Sequence, residues 1–189
     1  MICLAFFDYN IMKEFKTHRK ENFNSRLYRF LLNLFPAFRR STGRVSFFSS
    51  DWMEMHVCIK RNWKNRNYNG SVYGGSIYSS IDPMYAIQLL RIFGDDFVVW
   101  DKKATIDFQR PIKKKAIARF EFTEEHIEHI RKTVLKEGEY RFEKQFNYID
   151  KKGFVYAKIE KTIYIARKDF YQKKIEKKKQ EHAQQQKSS

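Results

Sequence analysis

The segment that most constrains the fold is the apolar stretch from residue 71 to residue 93. It is the longest such stretch in the chain, and small Ser and Gly residues separate large apolar ones such as Ile77, Ile81 and Ile87. Apolar residues occur on most sides of a helix drawn through it, which predicts one buried central helix rather than an amphipathic one. Pro83 predicts a kink in that helix, and Gly94 predicts its end.

The segments on either side alternate apolar and polar residues with the period of two that is typical of strands. Before the helix, a strand at 44–48 and a half-buried strand at 52–59 are predicted to pair through a turn. After it, strands are predicted at 96–111, 115–122, 139–149 and 154–166, with a short polar helix that begins at Thr123. A meandering antiparallel sheet buries a long apolar helix only by curling around it, so we predict an α+β roll and not a doubly wound sheet.

Residues 24–40 predict a further helix at the N-terminal side. Their apolar residues fall at helical spacing and form one stripe, which consists of Leu27, Phe30, Leu31, Leu34, Phe35 and Phe38. We expect this stripe to pack on the domain. Asn24 or Ser25 is predicted to cap the helix, and Pro36 to kink or end it.

The formal charge of +16 is concentrated at the two ends of the chain. Residues 1–44 carry nine Lys/Arg against three Asp/Glu, and residues 167–189 carry eight against three. This predicts an N-terminal extension (1–23), one domain (24–167) and a basic low-complexity tail (168–189) that becomes a solvated helix frayed toward a disordered end at 184–189. Basic tails more often solubilise a protein than read nucleic acid, so nucleic acid is disfavoured as a partner, while peripheral membrane contact through the basic ends stays open.

Cysteine and histidine usage predicts a cytoplasmic protein without a metal. Cys3 and Cys58 are too few for a disulfide framework or a zinc cluster. The apolar opening run before Asp8 lacks a basic start and is too short to span a bilayer. His56 alternates with Glu54 and Cys58 on one strand face, and His126 and His129 lack an evident third ligand. These are weak metal signals.

The residues that could perform chemistry lie between Asn67 and Asp82. Gly74 and Gly75 stand where the apolar helix begins, so their backbone N–H groups are unscreened and point toward a site for developing negative charge. The tetrahedral state of a thioester develops such charge, and these groups could form its oxyanion hole. Asp82 is a carboxylate in an otherwise apolar helix and needs a partner or a catalytic role. The structural alternative is that the glycines allow tight packing and that Asp82 caps the half-helix after Pro83.

This spacing resembles the signature of hotdog-fold acyl-CoA thioesterases of the phenylacetate-pathway type. That signature is an Asn, a His-Gly-Gly, and an Asp nine positions after the His. Asn67 stands six positions before Tyr73, Gly74 and Gly75 match the glycine pair, and Asp82 stands nine after Tyr73. The strand that ends at Pro111 and the run 63–67 are also similar, the latter to an uncharacterised thioesterase-like subgroup. The resemblance covers roughly residues 25–167.

The resemblance implies a hotdog fold, with an antiparallel sheet of five to six strands wrapped around one long central helix. It further implies a homodimer, or a dimer of dimers, with the active site at the interface. Among the catalytic residues, the Gly74 N–H would polarise the thioester carbonyl, Asp82 would act as nucleophile or general base, and Asn67 would orient water or substrate. Tyr73 occupies the position of the family's His.

The resemblance also implies the substrate-binding residues. Gly75 belongs to the glycine pair, and Asp101 would help to hold the water, although a strand-end salt bridge is the alternative for this residue. Lys113, Lys114 and Lys115 could bind the phosphates of coenzyme A, or could simply be solvated. No cofactor is implied apart from coenzyme A as part of the substrate.

Tyr73 decides between the chemistries of this fold, because a phenol cannot take a proton near neutral pH. It argues against the dehydratases that need an imidazole. The leading hypothesis is therefore a thioesterase that hydrolyses a fatty or aromatic acyl-CoA. The alternatives are a non-catalytic hotdog protein that binds acyl groups or acyl-CoA, and an adaptor that uses the basic tail on nucleic acid or anionic membranes.

Overall fold

The computed structural model describes residues 17–187, so the apolar opening run with Cys3, and the last two serines, lie outside the described residues. The helices are α1 (Phe23–Leu34), α2 (Pro36–Ser41), α3 (Gly74–Ser79), α4 (Met84–Phe93), α5 (Glu124–Glu137) and α6 (Lys168–Lys187). The strands are β1 (Gly43–Phe48), β2 (Glu54–Lys60), β3 (Phe97–Phe108), β4 (Lys115–Glu121), β5 (Glu139–Ile149) and β6 (Val155–Arg167). The predicted element order is confirmed.

The six strands form one antiparallel sheet in the order β1-β2-β4-β5-β6-β3. The sheet packs its inner face against α3 and α4, and Ile81, Met84, Tyr85 and Leu89 are buried in the core between them. This confirms the predicted hotdog architecture. Apolar residues on alternate strand positions supply the sheet side of the core, which is why the period-two pattern located the strands.

The central helix is interrupted, contrary to the single long helix that was predicted. Residues 80–83 form a turn between α3 and α4, and Pro83 stands just before the first residue of α4. Pro83 has no N–H to donate and its ring crowds the preceding turn, so the helix ends instead of bending. One side of the interrupted helix is exposed, at Tyr78, Ser79, Asp82 and Leu90, so the helix is not buried all round.

The first turn after α3 packs very closely on the start of β1. A Cβ on Gly43 would overlap the Cβ of Ser80, whose hydroxyl bonds to Tyr148 Oη at 2.7 Å in the core. We expect Gly43→Ala to lower the free energy of unfolding by about 1–3 kcal/mol through overpacking. Urea denaturation of Gly43→Ala in the wild-type and Ser80→Gly backgrounds checks this. An equal loss in both backgrounds would show that the contact with Ser80 is not the cause.

Helix α1 lies on the domain through a face different from the one predicted. Its cap is Asn22, in a capping box with Ser25, instead of Asn24 or Ser25. The predicted stripe is exposed except for Phe38, which belongs to α2 and is buried. Asn33 makes the contact with the sheet, because its side-chain amide donates to Val45 O and accepts from Val45 N, both at 2.9 Å. As predicted, α1 ends before Pro36.

Strand β2 is buried on both faces, whereas the sequence predicted a half-buried strand. Met55, Val57 and Ile59 face the core, but Glu54 and His56 are also buried. A set of polar contacts makes this burial possible: Glu54 Oε1 lies 2.7 Å from His56 Nε2 and 2.8 Å from Arg119 Nε, and Glu54 Oε2 accepts from Thr17 at 2.6 Å. Burial of a carboxylate is tolerated when it is paired in this way.

The two later helices are larger than predicted. Thr123 caps α5 as expected, accepting from His126 N at 3.2 Å, but the helix continues to Glu137 and buries Ile127, Ile130 and Val134. The C-terminal segment is helical as far as Lys187, so the predicted disordered end from 184 is wrong for residues 184–187. Phe170 of this helix packs over Gly138, which adopts a positive φ of 85°.

Candidate active site

The turn between α3 and α4 forms the floor of a cavity of about 410 Å³, a size typical of ligand sites. Apolar side chains from α1, α2 and α4 supply most of its walls, and Asp82 is its carboxylate. The lining residues are Leu32, Phe35, Ala37, Phe38, Tyr78, Ser79, Asp82, Pro83 and Ile87. The cavity therefore combines largely apolar walls with one exposed carboxylate.

Lys161 holds this turn in place from the sheet side. The side chain of Lys161 is fully buried on β6. Its ammonium donates to the backbone oxygens of Ile81, at 3.0 Å, and of Asp82, and to Asp101 Oδ2. The three donors of the ammonium thus meet three acceptors, two of which are backbone oxygens of the turn between α3 and α4. The sequence reasoning missed Lys161, although a lysine between Ile159 and Ile163 at inward-facing positions was a readable signal.

Asp101 lies on the other side of Lys161, at the bulge in β3. It forms an ion pair with Lys161, and its side chain is 13% exposed. Burial raises the pKa of Asp101, Lys161 lowers it, and the Asp82 charge raises it again, with a net upward direction. Asp101 thus forms an ion pair with Lys161. A salt bridge was the alternative to the role predicted for Asp101, which was to hold the water that attacks the thioester.

Asp82 is exposed at the cavity, and the hydroxyl of Tyr78 lies beside it. Burial raises the pKa of Tyr78, and the neighbouring Asp82 carboxylate raises it further by its charge and by a hydrogen bond. Tyr78 therefore stays protonated at neutral pH and can act as a hydrogen-bond donor. Because Lys161 holds the Asp82 backbone, the carboxylate projects from a fixed position.

The glycine pair is at the other end of α3. Tyr73 is the N-cap residue but makes no side-chain capping bond, and the N–H groups of Gly74 and Gly75 find no acceptor within residues 17–187. The Phe108 ring covers Gly74, where a Cβ would lie 3.2 Å from Cζ. The Tyr73 ring lies over Gly75 in the same way, so both glycines permit close aromatic contacts. Helix α3 has six residues, so its dipole is smaller than that of the predicted long helix.

Asn67 closes the loop that leads to Tyr73. Its side-chain oxygen accepts from Ser71 N at 2.9 Å, and its side-chain nitrogen donates to Ser71 Oγ at 2.9 Å. Both polar atoms of the amide are therefore used within the turn. In the single chain, Asn67 therefore fixes the loop of residues 67–73 that leads to Gly74.

The lysines that follow Pro111 lie beside the same loop. Val72 N donates to Ile112 O at 2.9 Å, and Arg61 N donates to Lys114 O at 2.9 Å. Lys113 and Lys114 are exposed, and Lys115 is half-buried at the start of β4. The segment that contains these lysines therefore lies near the glycine end of α3, and its lysines do not line the cavity that contains Asp82.

The structure gathers the predicted residues into two groups. Asp82 and Asp101 lie on either side of Lys161, at the interrupted end of α3. The second group, at the other end of α3, contains Asn67, Tyr73, Gly74, Gly75, Lys113, Lys114 and Lys115. None of the second group lines the cavity.

Two further properties of the described residues concern groups of metal ligands and helices that could span a membrane. Within residues 17–187, no group of three or more His, Cys, Asp or Glu side chains is arranged to hold a metal ion. Among the helices of the same residues, none combines the length and apolar character needed to cross a bilayer.

A six-stranded sheet wrapped around an interrupted central helix is the hotdog fold. Thioesterases are among the known proteins that have this fold. A family model described as a domain of unknown function (DUF4442) matches residues 24–165, and the chain belongs to this family. No match was found among curated proteins.

Solved structures show the same fold at low sequence identity. A Pseudomonas aeruginosa protein described as a probable thioesterase is 20% identical, with a TM-score of 0.67 over 78% of this chain and 98% of its own. A Haemophilus influenzae thioesterase is 11% identical, with a TM-score of 0.56 over 80% and 96%. Mouse thioesterase superfamily member 2 is 13% identical, with a TM-score of 0.53 over 76% and 98%. The chain thus has the fold of the hotdog thioesterase superfamily.

Proposed function

We propose that this protein hydrolyses acyl thioesters of coenzyme A, with Asp82 as the base that activates water. The observation that carries the proposal is the position of Asp82, whose exposed carboxylate lies in the lining of a largely apolar cavity. The cavity walls suit a fatty or aromatic acyl chain. The thioesterase fold of the similar structures supports the same reaction class.

In the proposed reaction, a water molecule attacks the thioester carbonyl carbon while the Asp82 carboxylate takes its proton. The carbonyl oxygen becomes an oxyanion, for which the Gly74 N–H is the proposed donor. The tetrahedral state then collapses, the carbon–sulfur bond breaks, and the coenzyme A thiolate regains a proton from Asp82. The products are a carboxylic acid and free coenzyme A.

The separation of Asp82 from Gly74 within one chain supports a homodimeric site. Strand β3 is an edge strand of twelve residues that pairs only with β6 among the described strands. A second copy that pairs along β3 would protect this edge and would bring its own Gly74 end toward Asp82. In that arrangement, Lys113 and Lys114 would lie where coenzyme A phosphates leave the site.

We expect Asp82→Asn to lower kcat/KM for hydrolysis at least about a hundredfold, because the isosteric amide cannot accept the proton of water. The measurement is the release of free thiol from a panel of fatty and aromatic acyl-CoAs. Asp95→Asn, which changes an exposed carboxylate in the turn before β3, is the matched control and should keep wild-type activity. Wild-type rates in Asp82→Asn would refute the assignment of the base.

Two observations favour a second candidate, an acyl-CoA-binding protein that does not hydrolyse its ligand. Tyr73 stands where the thioesterase signature that the sequence resembles has a His, and the Asn67 amide is used within its own turn. Calorimetry with a non-hydrolysable acyl-CoA analogue separates the two candidates. Tight binding by a wild-type protein that releases no thiol from any thioester of the panel would support the binding protein.

A further inference from the structure

The outward face of α1 and the residue after it carry an exposed apolar stripe, which we call the α1 stripe. The stripe consists of Phe23, Leu27, Phe30, Leu31, Leu34 and Phe35, whose exposed fractions range from 45% to 78%. Their spacing places them along one side of the helix. A contiguous apolar patch of this kind marks a surface for interaction, because single exposed apolar residues are normal but a row of them is not.

The opposite face of α1 is firmly attached to the domain, so the stripe cannot simply turn inward. Asn33 bonds to the backbone of Val45 in both directions, and Arg29 pairs with Glu21 at 2.8 Å. Tyr28 packs edge-on against Trp52, with ring centroids 5.7 Å apart. Rotation of the helix would break all of these contacts.

Exposed arginines border the stripe. Arg26 lies between Phe23 and Phe30 on the helix surface, and its side chain is 66% exposed. Arg39 and Arg40 on α2 follow the end of the stripe and are also exposed. Residues 17–44 contain seven Lys/Arg and one acidic residue, Glu21. An apolar stripe with basic borders matches a helix that lies in the headgroup region of an anionic membrane.

The same charges argue against a second copy of the chain as the occupant. Two identical stripes packed face to face would bring their arginines together, and like charges across an interface are unfavourable. An anionic lipid surface satisfies both the apolar residues and the arginines. Phe35 at the end of the stripe also lines the Asp82 cavity, together with Leu32. The stripe is thus continuous with the mouth of the cavity.

We propose that the α1 stripe and its bordering arginines dock the protein on anionic lipid surfaces, with the mouth of the Asp82 cavity facing the bilayer. An acyl chain could then pass between the membrane and the cavity without crossing water. This last step rests on the proposed hydrolase function. The docking itself does not, and it is measured with no thioester present.

The test uses the full chain and sedimentation with two kinds of vesicle, phosphatidylcholine alone and phosphatidylcholine mixed with anionic phosphatidylglycerol. Wild type should bind the anionic vesicles, and less tightly as salt increases. Phe30→Gln/Leu34→Gln should weaken binding about a hundredfold, since two apolar side chains no longer enter the lipid. Arg26→Gln/Arg40→Gln should weaken it about thirtyfold.

The matched control removes two exposed apolar side chains elsewhere. Leu135→Gln/Phe154→Gln changes residues that are 53% and 52% exposed and should bind vesicles like wild type. Equal binding by wild type and the Phe30/Leu34 variant would overturn the proposal. The proposal would also be overturned if the Phe30/Leu34 variant bound vesicles like wild type but had a different oligomeric state. That result would show that the stripe contacts a second copy of the chain. Binding that is lost when residues 1–16 are removed would assign it to that segment and would also overturn the proposal.

Discussion

Lys161→Met should lower the free energy of unfolding by about 3 kcal/mol, because it leaves the largely buried Asp101 carboxylate without its counter-ion. The same change removes the donor for the backbone oxygens of Ile81 and Asp82. Methionine has a similar length and no charge, so the loss reports the ammonium and not a cavity. Urea denaturation followed by circular dichroism measures it. Lys158→Met, on the same strand but exposed, should stay within about 0.5 kcal/mol of wild type.

A second variant separates the ion pair from the carbonyl contacts. Lys161→Met/Asp101→Leu replaces the buried pair with apolar groups and should recover much of the loss, since such replacements are often neutral. The part that is not recovered reports the lost hydrogen bonds to the backbone oxygens of Ile81 and Asp82. If Lys161→Met unfolds at the same urea concentration as Lys158→Met, Lys161 does not hold the turn.

Glu54→Gln should lower the free energy of unfolding by about 3 kcal/mol near neutral pH, because the buried carboxylate holds both His56 and Arg119. Burial acts to raise the pKa of Glu54, but hydrogen bonds from His56 and Thr17 and the charges of His56 and Arg119 outweigh it and lower the pKa below 4.5. For an acid with a lowered folded-state pKa, this stabilisation is present above the unfolded pKa. It is lost as the pH falls through the folded pKa.

The difference between wild type and Glu54→Gln should therefore shrink in acid. Urea midpoints measured from neutral pH to below the lowered pKa test this dependence. Glu121→Gln is the matched control, because Glu121 also bonds Arg119, at 3.1 Å, but is 45% exposed. Its effect should be about 0.5 kcal/mol or less. A difference for Glu54→Gln that grows toward acid would contradict the assignment of the network.

Local patterns predicted most of the fold. The strand boundaries followed from alternation at period two, the start of α5 from Thr123, and the end of α1 from Pro36. Each of these signals acts within a few residues of where it stands. Pro83 was also interpreted correctly as a point where the central helix changes. A kink was predicted there, whereas the structure has a turn that divides the helix in two. Lys161 binds the backbone oxygens of Ile81 and Asp82 in the turn that interrupts the helix, and it is distant from Pro83 in sequence.

The candidate site was predicted only in part, because some of its contacts are local in sequence and others are not. The spacing from Asn67 to Asp82 indicated a glycine loop and an acid on one segment, and both are present. The use of the Asn67 amide within its turn, and the ion pair of Asp101, depend on contacts that spacing alone does not reveal. Lys161 and the polar contacts of Glu54 with Thr17 and Arg119 were missed, because they join residues that are distant in sequence.

The amino-acid sequence by itself determined which side chains share a face on each helix and strand, including five of the six residues of the α1 stripe. Only the tertiary structure decided which face meets the core. Periodicity follows from backbone geometry and is local, whereas burial is set by the contacts of the whole chain. Thus Asn33 anchors α1 to Val45 and leaves the apolar stripe outside, and Lys161 holds the turn that places Asp82 at the cavity.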